Sequence, residues 1–276
     1  VAAERGHRVV LFEATPQAGG QVRLLSQSPR RREMIGIIDW RVQQCEQAGV
    51  EFRFNTYAEA DEILSLQPDV VIIACGGLAN TELLREGNEL VVSARDIISG
   101  DVKPGAEVLL YDDGADHPAM QAAEIIAESG ARLEFVTPER QISPDIGGTN
   151  MVPYMRKLLP LDVRFTLCRR VLSARRDNGR IRVTLGSDYG DFSSERVVDQ
   201  VVVEHGTTPL DDVYFELKPL SINRGEVDYD ALIEGRAQPI ERDPEGKFKL
   251  FRIGDAVSSR NVHAAIYDAL RLVKDL

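Results

Sequence analysis

Short apolar runs alternate along this chain with segments of helical period, and glycines punctuate the joins. Residues 8–12 (RVVLF) are apolar and β-branched, the pattern of a parallel strand buried on both faces. Residues 1–6 before them read as the last turns of a helix closed by Gly6. Residues 32–48 carry a helical period that stops at Gly49, and 50–55 and 69–74 (DVVIIA) read as strands. A similar block follows: a strand at 108–111, a helix over 118–129 ended by Gly130, and a strand over 132–137. Residues 171–185, turning at Asn178-Gly179, predict a β-hairpin. Strands at 200–204 and 248–253 lead into His205-Gly206 and Gly254-Asp255, and 261–274 forms the terminal helix.

Alternating strands and helices predict an α/β fold with parallel sheets. Two strand–loop–helix–strand blocks predict two Rossmann-like domains of the FAD/NAD(P)-binding type, the second inserted in the first. The boundaries are expected near Ser99 and Pro219. Residues 1–99 with 220–276 then form an FAD/ADP-binding domain, and 100–219 an NAD(P)-binding-like domain. The first block opens on a helix end, a strand and Glu13, which is the second half of a βαβ unit. A full unit takes roughly 30 residues, so its first strand and glycine loop are expected ahead of Val1. Without that loop, the chain alone is expected to retain cofactor weakly.

Composition narrows the partners. The net charge is -11 with no basic block, which argues against nucleic acid, whose phosphates need clustered Lys and Arg. No run approaches the length of a membrane span and no basic, then apolar, leader opens the chain. Cys45, Cys75 and Cys168 lie far apart, giving no metal-cluster spacing and no disulfide framework. A reducing cytoplasm is the expected compartment.

The candidate chemistry lies at strand ends. Glu13 closes the second strand of its unit, where an acid accepts hydrogen bonds from the ribose of an adenosine; alone, it would read as an exposed acid. Gly19-Gly20-Gln21 follows at short spacing, and paired glycines let backbone amides face a phosphate. Together they favour nucleotide binding over a plain turn. Cys75-Gly76-Gly77 sits at a carboxyl edge where ligands bind in such sheets. It suits a domain crossing as well, and Cys75 reads as a small packed residue. Gly254-Asp255-Ala256 precedes the last helix, so Asp255 serves either a ribityl hydroxyl or the helix as its N-cap. His263 reads as a packing residue.

In the second block, Gly114-Ala115-Asp116-His117-Pro118-Ala119 places Asp116 where a dinucleotide loop has its second glycine. A carboxylate there repels a pyrophosphate by about 4 kcal/mol at an effective dielectric near 20. Pro118 removes a donor amide, and the next strand ends without an acid for a ribose. This domain is therefore expected not to bind NAD(H) in the usual way. His205 reads as a junction residue, and Asp112-Asp113 and Asp211-Asp212 as solvated pairs that complete no metal site.

Residues 12–14 with Gly19-Gly20-Gln21, the segment 74–77, Tyr111-Asp112-Asp113-Gly114 and 252–256 resemble the C-terminal half of a family of iron–sulfur flavoproteins. It is the family of 2,4-dienoyl-CoA reductase and trimethylamine dehydrogenase, and the likeness is strongest to its N-methylamine demethylase branch, which acts on dimethylglycine or N-methylproline. The resemblance covers essentially the whole chain. It implies that Glu13, Gly20, Gln21, Gly76 and Asp255 line an FAD or ADP site, with Arg23 and Arg32 neutralising phosphate. It also implies an FMN barrel and a 4Fe-4S centre in an N-terminal half outside this chain, where a small amine or enoyl substrate reacts. An electron-transfer partner and a homo-oligomer at full length follow from the same resemblance. The Asp116 loop leans toward the dehydrogenase or demethylase type and away from NAD(P)H use. The alternatives are an NAD(P)H-dependent FAD reductase and a non-catalytic nucleotide-binding scaffold.

Overall fold

The computed structural model describes residues 1–274 and 276. In chain order its elements are β1 (Val10–Glu13), α1 (Gly20–Leu25), α2 (Ile35–Gln47), β2 (Glu51–Phe54), α3 (Ala60–Ser65), β3 (Val70–Ile73) and β4 (Gly77–Ala79). Then come β5 (Val91–Ser93), α4 (Ala94–Ser99), β6 (Glu107–Asp112), α5 (His117–Glu128), β7 (Arg132–Val136), α6 (Gly148–Leu158) and β8 (Arg164–Thr166). The antiparallel strands β9 (Arg170–Asp177), β10 (Arg180–Gly186) and β11 (Ser194–Val198) precede β12 (Gln200–Glu204) and β13 (Thr207–Pro209). The chain ends with α7 (Asp212–Leu217), α8 (Tyr229–Glu234), β14 (Lys249–Arg252) and α9 (Val262–Val273).

The chain divides into two compact units, and unit 1 is discontinuous. It comprises Val1–Arg23, Glu33–Leu78 and Thr207–Leu276; unit 2 comprises Leu24–Arg32 and Ala79–Gly206. The crossings therefore fall earlier than the expected boundaries near Ser99 and Pro219. The reason is pairing: β5 is parallel to β12 and belongs to the unit 2 sheet, which pulls residues before 99 into that unit.

Unit 2 is built on a parallel sheet of order β5-β12-β6-β7-β8. Its central strands carry runs of apolar residues because both faces are covered. Leu109, Leu110, Val201 and Val202 are completely buried. On one face Ala119, Met120, Ala122, Ala123 and Ile126 of α5 pack with Ile97 of α4 and Leu158 of α6. On the other, Leu109, Tyr111 and Val203 meet Val183 and Leu185 of the antiparallel sheet β11-β10-β9. The hairpin turns at Asn178 and Gly179, both at positive φ, as a tight two-residue connection requires. The helix α6 was illegible in sequence because Gly147, Gly148 and Pro153 argue against one. It forms because Tyr154 and Leu158 are fully buried on its inner face, and tertiary packing outweighs propensity.

Unit 1 contains two separate parallel pairs, β1 with β2 and β14 with β3. Its core is the cluster of Ala60, Val71, Ile73, Tyr214, Leu217, Phe248, Leu250 and Ala256. Gly6 closes a 3₁₀ turn before β1 at φ 96°. The helix expected over 32–48 begins at Ile35, after a 3₁₀ stretch Pro29–Met34. The molecule is thus mixed α/β with several parallel sheets. No helix among the described residues is long and apolar enough to cross a membrane.

Candidate functional site

In unit 1 the carboxyl ends of β1, β3 and β14 bring together residues far apart in sequence. Glu13 ends β1, and its Oε1 accepts hydrogen bonds from the Thr15 amide and hydroxyl, both at 2.8 Å. That local turn fixes the carboxylate at the strand end. Cys75 follows β3 and is close enough for the Glu13 charge to act on it. Desolvation first, and then Glu13, holds this exposed thiol above the ordinary thiol range. A thiol raised in this way is a poorer nucleophile.

The loop from β1 to α1 turns through Gly19 at φ 126° and Gly20 at φ 46°. A side chain at Gly20 or at Gly76 would meet nothing within 4 Å. At both places bare backbone faces open space, as close approach by a ligand needs. Gly77 is different. A Cβ there would lie 2.6 Å from the Thr208 carbonyl oxygen and 2.8 Å from the Thr207 Cβ. Its smallness serves the packing of β13, not a ligand.

Asp255 stands at the centre of this region. Its Oδ2 accepts from Gln21 Nε2 at 3.4 Å and from Thr207 Oγ1 at 3.3 Å, and its Oδ1 from the Arg260 amide at 3.1 Å. The Ser259 hydroxyl accepts from the Thr207 amide at 3.0 Å. Asp255 is not the N-cap of α9: Asn261 is, accepting from the Ala264 amide. Gly254, at φ 60°, is held by its amide on Asp268, and a Cβ there would lie 3.1 Å from Ala265. Ala256 is buried beneath it. Thr207, Ser259, Arg260 and Asp268 were missed in the sequence. The one available signal was Gly206-Thr207, a second strand–glycine junction like Gly76-Gly77.

Other expectations are corrected. Arg23 Nε donates to the Ala18 carbonyl at 3.1 Å, which draws its guanidinium onto its own loop. Arg32 is exposed and belongs to unit 2. His263, read as a packing residue, is exposed and stacks on Tyr267. Asp211 pairs with Arg252. Asp112 is not solvated: it is fully buried, while Asp113 pairs with His205 at 3.0 Å and Arg170 at 3.5 Å. β6 ends at Asp112 and Asp113 begins the loop that follows, which separates the two aspartates.

The donor set suits an adenosine better than a metal. Glu13 offers an acceptor for ribose hydroxyls, and Gly20 and Gly76 offer unobstructed backbone. Among the described residues no group of three or more His, Cys, Asp or Glu side chains could hold a metal ion. An open cavity of about 320 Å³ adjoins the loop, lined by Ala18 and Arg23 but also by Asp39 and Glu46, acids that disfavour an anion inside it.

No family model matches the chain. Over all 276 residues it is 60% identical to a probable N-methylproline demethylase of Rhizobium meliloti, and it covers 41% of that protein. It is 39% identical over its full length to an N,N-dimethylglycine/sarcosine dehydrogenase of Chromohalobacter salexigens, again covering 41%. Among solved structures, a 2-naphthoyl-CoA reductase complex superposes on the whole chain with a TM-score of 0.76 at 25% identity; the match covers 37% of that chain. The chain thus spans about two fifths of the length of the curated relatives it matches.

Proposed function

We propose that this chain, homologous over its whole length to part of enzymes of the flavin-dependent oxidoreductase family, is their adenine-nucleotide-binding part. The nucleotide is FAD or ADP, held in unit 1. One observation supports this reading: Gln21, in the glycine loop that follows β1, donates to Asp255, which follows β14, at carboxyl strand ends of the kind where ligands bind in folds of this type. In it, Glu13 accepts from the ribose hydroxyls, Gly20 and Gly76 admit the ligand against bare backbone, and Asp255 is set by Gln21 and Thr207 to accept from a further hydroxyl. A bound flavin would supply two-electron transfer; the residues here bind and orient and move no proton.

In the full-length protein the activity is that of an N-methylamine dehydrogenase or demethylase, with a small amine reacting on an FMN barrel beside a 4Fe-4S centre outside this chain. The two parallel pairs of unit 1 each keep an unpaired edge among the described residues. A parallel strand from elsewhere in the full-length protein, set between β1 and β3, would join them into one sheet of a Rossmann-like domain. Unit 2 is then the second such domain.

Extraction of the purified full-length protein tests the assignment. One equivalent of adenine nucleotide is expected on denaturation, and nucleotide-free protein would remove the reading. Glu13→Ala is expected to weaken ADP binding about tenfold, the loss of one or two charge-assisted hydrogen bonds. An unchanged dissociation constant by calorimetry would take Glu13 out of the site.

A further inference from the structure

The loop between β6 and α5 in unit 2 has the position of a nucleotide loop, and four of its backbone amides are already taken. In dinucleotide folds these backbone amides bind pyrophosphate. Here Asp112 Oδ1 accepts from the amides of Gly114 at 3.1 Å and Ala115 at 2.9 Å. The Asp113 amide donates to the Glu204 carbonyl at 2.9 Å, and the His117 amide to the Asp116 carboxylate at 2.7 Å. Pro118 has no amide to offer. Asp112 is locked from its other oxygen by the Ser143 hydroxyl at 2.8 Å.

Space is filled as well as donors. Glu204 is the register partner of Asp112 across β12 and β6. A Cβ on Gly114 would stand 3.1 Å from the Glu204 Cγ and 3.4 Å from its Oε1. Glu204 therefore lies over the one glycine of the loop where a ligand would approach. Its Oε1 is kept there by the Gly206 amide at 3.1 Å. The charges around it are Asp112 on β6, Arg95 on α4 and His205 beside it. At the helix start, burial and the Arg31 charge push His117 down to about 4, with Asp116 acting against them, so that its ring is neutral.

We propose that unit 2 carries its own occupant, the Asp112 carboxylate on the loop amides and the Glu204 side chain over Gly114, and that these two residues exclude nicotinamide dinucleotides from the β6–α5 loop. The inference deepens the adenine-nucleotide reading by setting which nucleotides the protein takes, and it rests on that reading only in assigning the adenine site to unit 1. Electrons would then not enter from NAD(P)H bound in this unit. The exclusion belongs to side chains of the site and not to the fold, since the strand, loop and helix are all present.

Titration of NADH into the full chain held in saturating ADP reads unit 2, because ADP competes for any adenosine site in unit 1. The wild-type chain is expected to show no saturable change in nicotinamide fluorescence up to about 1 mM. A D112A/E204A chain that still melts cooperatively is expected to bind NADH at least about tenfold more tightly than wild type. Saturable micromolar binding by the wild-type chain overturns the proposal, and so does a folded double variant that gains nothing. If the double variant does not melt cooperatively, amide hydrogen exchange of the wild-type chain decides. The Gly114 and Ala115 amides are expected to exchange about a hundredfold or more slowly than in an open loop; free exchange there overturns the proposal. Absence of ADP binding in the same titrations would fault the reading of unit 1 and leave this one standing.

Discussion

The two units differ in the depth of their packing and in how open their glycine-bearing loops are. Unit 2 has the deeper core: the middle strands β6 and β12 are buried along nearly their whole length, with clusters on both faces of the sheet. Its loop is closed by its own carboxylates. Unit 1 is the reverse. No residue of β1 or β2 is buried and its cluster is small, yet its loop backbone faces open space at Gly20. The core depends on apolar strand faces, whereas the character of a loop depends on a few of its atoms, so the two can differ independently.

The difference in packing between the units is largest at the core. Phe135→Ala, at a fully buried position of β7, is expected to destabilise unit 2 by about 3–5 kcal/mol. Phe12→Ala, half-buried in β1, is expected to cost less than about 2 kcal/mol by partial burial of the ring. Region-resolved hydrogen exchange in denaturant reads the two separately; equal costs would show that unit 1 is as tightly built as unit 2.

The buried acids of unit 2 supply a second test. Burial, and then the Asp112 charge, pushes Glu204 up to about 7, while burial raises Asp112 to about 6. The folded unit then holds more protons than the unfolded chain between the ordinary carboxylate range and neutrality. Stability from this source is full below that window and falls as the pH rises through about 7. For Glu204 the loss is on the order of 3 kcal/mol. Glu204→Gln keeps an acceptor for the Gly206 amide and is expected to flatten the stability–pH profile; parallel profiles for the two proteins would mean that Glu204 is not held protonated.

A smaller effect is expected at the glycines of unit 1. Gly77→Ala must displace the β13 backbone and is expected to cost about 2–3 kcal/mol, read as a drop in the denaturation midpoint. A midpoint unchanged within error would return Gly77 to the ligand side of the comparison.

Much of the fold was readable in the linear pattern. The strand at 200–204 has the bounds expected of it, and β1, β3, β6, α5, the 178–179 hairpin and α9 each lie within a few residues of expectation. Those features depend on side-chain period and glycine conformations, which are set within a few neighbouring residues. The strand ends carrying Glu13, Gly76 and Asp255 were legible for the same reason.

What the sequence determined by itself, then, is the alternation of elements, the position of each loop and the donors each loop contains. Tertiary structure alone decided what those donors meet. Gln21 and Asp255 are separated by 234 residues, and Thr207 reaches Asp255 across 48; no local pattern encodes such pairs. The burial of Asp112 beside the solvent-reaching Asp113, the service of Gly77 to Thr208 and the placing of Arg32 in the other unit are of the same kind. Each depends on which strands stand side by side, and strand neighbours are chosen by the packing of whole faces rather than by the residues at their ends.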